Sequence, residues 1–205
     1  MNRHVGIVSE TSNANYTGVT TKLTLPTTIN VTSGYVDWYL GIGPSAIEAG
    51  ISYKVGEGFR VFINGVEGAD VPNKRSQRVS YLQPGQTVDM KLTYNHSTKR
   101  SSLFINSQVV PWADEAPVTT YTARLMNTLN TVKMVQGVED TGSNVTSTAS
   151  FSQPQLRMNA AGTIYNPWTA SLSKQTIKRN LGDAGGDAHV YLVNTFPLAA
   201  RIDKA

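Results

Sequence analysis

Between Gly85 and Trp112 the chain alternates apolar and polar positions twice, with a polar break between the two runs. Val88, Met90, Leu92 and Tyr94 interleave with Asp89, Lys91 and Thr93. After Asn95-His96-Ser97-Thr98, the residues Leu103, Ile105, Ser107 and Val109 resume the same two-residue period. Side chains alternate across a strand, so this pattern predicts a β-hairpin. Similar runs predict strands over residues 16–25, 35–42, 47–55, 59–63, 77–82, 87–94, 102–110, 131–138, 148–158 and 189–195. Turn residues separate most of them, among them Thr32-Ser33-Gly34, Gly56-Glu57-Gly58, Asn64-Gly65 and Gln83-Pro84-Gly85.

Helical character is confined to two segments. Residues 123–129 (ARLMNTL) form one, and residues 173–181 the other, with Ser173 as N-cap, Ile177 and Leu181 four apart, and Gly182 beyond the end. Many short strands with one or two short helices predict an all-β antiparallel sandwich, a single domain spanning residues 1–205.

The alternation also assigns faces. In residues 35–42, Val36, Trp38, Leu40 and Ile42 share the apolar side, and Tyr35, Asp37 and Tyr39 share the other. In residues 47–55, Glu48, Ser52 and Lys54 lie opposite Ile47, Ala49, Ile51, Tyr53 and Val55. If these strands are neighbours, Tyr35, Asp37, Tyr39, Glu48, Ser52 and Lys54 make an aromatic and polar floor suited to a sugar, whose C–H face packs on rings while carboxylates and amides meet its hydroxyls. The plain alternative is a solvated sheet whose tyrosines merely favour strands. Residues 131–138 alternate less cleanly, because Lys133 shares its side with Val135, and Gln136 shares its side with Val132 and Met134.

Composition narrows the chemistry. Of 205 residues 40% are apolar and only 16% charged, leaving many hydroxyl, amide and glycine positions for wet strand faces. A net charge of +4 with scattered basic residues gives no phosphate-binding stripe, so no nucleic-acid partner is expected. No apolar run reaches a membrane span, and no membrane insertion is expected. The first residues lack a signal peptide's apolar core, which leaves open a mature exported form, secreted or at the cell surface. Without cysteine there is no thiolate catalysis and no thiolate metal site. His4, His96 and His189 have no ligand spacing, and no metal or other cofactor is expected. Residues 182–187 (GDAGGD) have the mix of a calcium loop in Asp183 and Asp187 but lack its further oxygen ligands, and read as a surface turn.

The hairpin resembles that of concanavalin A-like sandwiches, the jelly-roll fold of lectins and glucanases. The glucanase branch implies a strand carrying Glu-x-Asp-x-x-Glu, and this chain has none. The blocks TGVTTKLTLP, DWYLGIGPSAIEAGISY, LQPGQTVDMKLTYNHSTKRSSLFINS, TVKMVQGVED and TASFSQPQLR follow the order of those in glutamic peptidases (eqolisins). The chain also resembles uncharacterised secreted bacillar proteins of this sandwich type. The eqolisin resemblance places that family's substrate-lining tryptophan on Tyr39, its catalytic glutamine on Glu48 and its catalytic glutamate on Lys133. Glu48 and Lys133 are therefore expected to form an ion pair on the concave face. The resulting expectation is a non-catalytic, exported binder of a polysaccharide or cell-surface glycan through Tyr35, Asp37, Tyr39, Glu48, Ser52 and Lys133. The alternatives are a hydrolase or lyase using Glu48, with Lys133, as its catalytic groups, and a structural or adhesive surface protein.

Overall fold

The computed structural model describes residues 4–43, 47–65, 74–112, 121–122, 127–139, 143–158, 161, 163–179 and 190–203. In chain order the strands are β1 (His4–Thr11), β2 (Gly18–Thr24), β3 (Ile29–Asn30), β4 (Tyr35–Ile42), β5 (Ile47–Lys54) and β6 (Gly58–Gly65). Then come β7 (Lys74–Arg78), β8 (Thr87–Asn95), β9 (Arg100–Ile105), β10 (Gln108–Val109), β11 (Tyr121–Thr122) and β12 (Val132–Glu139). The series ends with β13 (Val145–Arg157), β14 (Tyr165–Pro167), β15 (Ser173–Arg179), β16 (Val190–Asn194) and β17 (Ala199–Ile202).

Two antiparallel sheets face one another in a concanavalin A-like β-sandwich. One has seven strands in the order β15-β1-β12-β4-β5-β6-β7. The other has ten, following β10-β9-β8-β2-β13-β17-β16, with β11 on β9 and both β14 and β3 on β13. Between them the apolar sides predicted from period two interdigitate: Val36, Trp38, Leu40, Ile42, Ile47, Ala49 and Ile51 meet Leu23, Met90, Leu92, Leu103 and Phe151, all at most 2% exposed. Burial of that kind dominates the stability of such a core. Gln136, which blurs the alternation of β12, sits in this core with its Nε2 donating to the Ala149 carbonyl at 2.8 Å.

Several elements differ from the sequence expectation. Residues 173–179 form not a helix but the edge strand β15, paired with β1 from Val5↔Arg179 to Thr11↔Ser173. Edge pairing with β1 overrides the helical spacing of Ile177 and Leu181, and Leu181 lies outside the described residues. The only helix among them is a 3-10 turn, Ala170–Leu172. Of the other helical candidate, residues 123–126 lie outside the description, as do Asp183 and Asp187. Strand β7 ends at Arg78, leaving Ser80 and Tyr81 exposed. The strand expected over residues 102–110 breaks at Asn106 and Ser107, whose φ values of 50° and 64° make the tight turn between β9 and β10. No helix among the described residues is long and apolar enough to cross a membrane.

Candidate functional site on the seven-stranded sheet

The six residues singled out by sequence share the outer face of the seven-stranded sheet, and register arranges them in rows across it. In one row Lys174, Glu10, Lys133, Gly41, Glu48 and Asn64 stand on successive strands. In the next, Val8, Val135, Tyr39, Gly50 and Phe62 follow one another, and in the third, Gly6, Gly137, Asp37, Ser52 and Arg60.

Three glycines explain how these rows close. A Cβ on Gly41 would collide with the Lys133 stem, a Cβ on Gly137 with His4 and Asp37, and a Cβ on Gly50 with the Trp38 carbonyl oxygen and the Tyr39 Cα and Cβ. Without side chains at those points, neighbouring side chains lie flat across the strands. Lys133 runs over Gly41 and gives its Nζ to the Glu48 carboxylate. His4 crosses Gly137 and places Nε2 at 3.2 and 3.1 Å from the two Asp37 oxygens. The Tyr39 ring meets Phe62 edge-on, with centroids 5.7 Å apart, and these two pack with Val8 and Val135 as a second apolar cluster outside the sandwich core.

The expected Glu48–Lys133 ion pair is thus present. The Lys133 side chain is 2% exposed and that of Glu48 is 21% exposed. Tyr39 lies beside them: the Lys133 ammonium is 5.8 Å from its ring centroid, within cation–π range. Burial first, then the Glu48 and Asp37 charges, hold the Tyr39 hydroxyl well above its ordinary pKa, so it stays a donor.

One expectation is corrected here. Tyr39 is not an exposed sugar platform; it is buried at 7% exposure, because parity names a residue's face and does not say what covers that face. Asp37 and Ser52 are buried as well, whereas Tyr35 is half-buried and stacks on His4 at 6.0 Å. Burial raises the Tyr35 pKa, with Asp37, Glu139 and Glu48 adding to it. For His4, burial opposes the charged form, but the Asp37 charge and hydrogen bond, with Glu48 and Glu139 behind them, outweigh it and leave the imidazole raised.

Sequence reasoning passed over His4, Glu10 and Arg60. His4 opens a strand whose alternation is hidden by Gly6, and its partner stands 33 positions away, so no local spacing links the two. Arg60 lies beside Ser52, donating to Glu57 from Nη1 and to the Ser76 carbonyl from Nη2 at 2.9 Å.

No protein-family model matches the chain, and no curated protein matches it by sequence. Among solved structures, Scytalido-glutamic peptidase with a peptide-based transition state analogue is similar at TM-score 0.62 and 10% identity, over 99% of this chain and 98% of that one. SCP-B, a member of the Eqolisin family of peptidases in complex with the tripeptide Ala-Ile-His, is similar at TM-score 0.60 and 10% identity over the same shares. The likeness is one of fold, and it extends the short motif resemblance across nearly the whole chain.

Proposed function

We propose that the protein is an exported, non-catalytic sandwich that binds a polysaccharide or cell-surface glycan along the outer face of the seven-stranded sheet. The observation that carries this reading is the Lys133–Glu48 pair, which occupies the two positions where the eqolisin resemblance puts a catalytic glutamate and glutamine. An ammonium has no lone pair with which to take a proton from water, and an ionised carboxylate has no N–H to offer an oxyanion. Loss of a single oxyanion donor already costs about 100- to 1000-fold in rate.

The same groups suit binding. Glu48, oriented by Lys133, keeps part of its side chain accessible, and Tyr35 and Lys54 stand on the same face. Asn64, the register partner of Glu48 on β6, stands on the same face. Side chains already held in one arrangement lose little entropy when a ligand arrives.

The test is retention on a panel of insoluble polysaccharides, for the parent and for Tyr35→Ala and Glu48→Gln, beside incubation with denatured substrate protein from pH 2 to 8. Retention that both substitutions weaken, with no cleavage, is expected. Cleavage that disappears in Glu48→Gln would replace this reading with the hydrolase.

A further inference from the structure

Charge is distributed unevenly around the proposed glycan face. Its two edge strands, β7 (KRSQR) and β15 (SKQTIKR), hold six of the chain's 18 lysines and arginines and none of its 14 acids. By register, Arg78 stands opposite Arg60 and Ser76 opposite Phe62 on one edge. On the other, Lys174 stands opposite Glu10. Six inter-strand spacings separate these edges, roughly 29 Å at about 4.8 Å each.

Between the edges most of the acids are already paired, Glu139 of β12 being without an ion pair among the described residues. Glu48 is bonded to Lys133, Asp37 to His4, and Glu57 to both Lys54 and Arg60. Glu10 faces Lys174 at 3.7 Å, yet Lys174 itself remains 55% exposed. Arg78 is exposed and has no partner among the described residues. The face therefore offers a paired floor between two cationic rims.

Cations on edge strands also guard against edge-to-edge aggregation. If that were their purpose here, the ten-stranded sheet would need them equally. Its end strands β10 (QV) and β16 (VYLVN) carry no charge, and Leu192 and Val193 of β16 are exposed. By register Lys74, Arg78, Lys174 and Lys178 take outer-face positions, while Arg75 and Arg179 stand opposite Ile63 and Val5 of the core side, so the edge cations favour the seven-stranded sheet and, four to two, its outer face.

Resting on the glycan-binding reading, we infer that the ligand is an anionic glycan, a chain bearing carboxylate or sulfate groups that meet both rims while its hydroxyls meet Glu48 and Tyr35. A neutral chain would leave Arg78 without a partner and Lys174 with only its loose contact to Glu10, and a ligand of bare charge would leave the Glu48 carboxylate unused.

The experiment measures retention on immobilised dextran, dextran sulfate, polygalacturonate and single-stranded DNA at low and high salt. Dextran sulfate and polygalacturonate should retain the protein, and 1 M salt should release it as the Debye length contracts to about 3 Å. Arg78→Gln with Lys174→Gln should weaken that retention about tenfold at unchanged melting temperature. Lys22→Gln with Lys91→Gln, which removes the same charge from the other sheet, should not. Equal weakening by both pairs would reduce the effect to net charge and overturn the inference. Retention on dextran equal to that on dextran sulfate would overturn the anionic ligand and leave glycan binding standing; no retention on any polysaccharide would overturn both. DNA retained as strongly as the acidic glycans would overturn the ligand class.

Discussion

Strands β8 and β4 carry the same period-two pattern, yet their outer faces differ. On β8 the positions outside the core, Thr87, Asp89, Lys91 and Thr93, are exposed or half-buried, and the strand alternates between wet and dry throughout. On β4 only Tyr35 keeps partial exposure, while Asp37, Tyr39 and Gly41 are buried, and β12 and β1 behave alike. An antiparallel sheet ordinarily keeps one face in water. The difference teaches that Gly41 and Gly137 convert a polar face into a closed layer, because Lys133 and His4 lie across them and find partners, while Gly50 leaves room for the neighbouring β4 backbone. Lys22 and Asp89, 3.7 Å apart on the ten-stranded sheet, are solvated and loosely paired. Lys133 and Glu48 are locked together.

If that contrast is right, truncation has unlike effects on the two faces. Tyr39→Ala should destabilise by about 3–5 kcal/mol, since it empties the cluster with Val8, Phe62 and Val135. Lys22→Ala should stay within about 0.5 kcal/mol. Denaturant unfolding of both decides it: a neutral Tyr39→Ala would return the ring to the surface.

Gly50→Ala sharpens the same comparison. The new methyl would meet backbone that cannot swing aside, and a loss of about 2–3 kcal/mol is expected. Thr20→Ala, on the wet face, is the control, expected within about 0.5 kcal/mol. Matched melting curves for the two variants would remove glycine from the explanation.

A smaller effect lies in pH. The folded pKa of His4 is raised above the ordinary 6.5, so the folded state binds more protons than the unfolded chain between those two values. Its contribution is fully present below about pH 6.5 and is lost as pH rises through the raised value. Melting temperature should therefore fall across that window, and His4→Phe should flatten the fall. An unchanged pH profile in His4→Phe would mean that the Asp37 contact does not hold the proton.

The hairpin, β4 and β5 were readable from sequence because turn residues bound clean alternation on each side. Strand β1 was not, because Gly6 interrupts its apolar run at a point where His4 has to pass over Gly137. Strand β15 read as helix, since an edge strand has one neighbour and its local sequence carries little of the pairing that defines it. In the site, parity grouped Tyr35, Asp37 and Tyr39 on one strand and Glu48 and Ser52 on the next, and the resemblance brought Lys133 to Glu48. Neither revealed that Tyr39 is covered or that His4 reaches Asp37. The available signal was a glycine at matching parity on each of three adjacent strands, and it gains meaning only once the strand order β12-β4-β5 is known.

The account turns on Glu48 and Lys133 acting as one unit, and a double-mutant cycle measures that directly. Glu48→Gln, Lys133→Met and the double variant are compared with the parent by denaturant unfolding. Lone Lys133 in the Glu48→Gln variant keeps a buried ammonium without its counter-charge, whereas the double variant removes both charges. The prediction is a coupling of about 2–3 kcal/mol, with the double variant more stable than Glu48→Gln. Single effects that add to within about 0.5 kcal/mol would contradict it and leave Glu48 available as an independent acid or base.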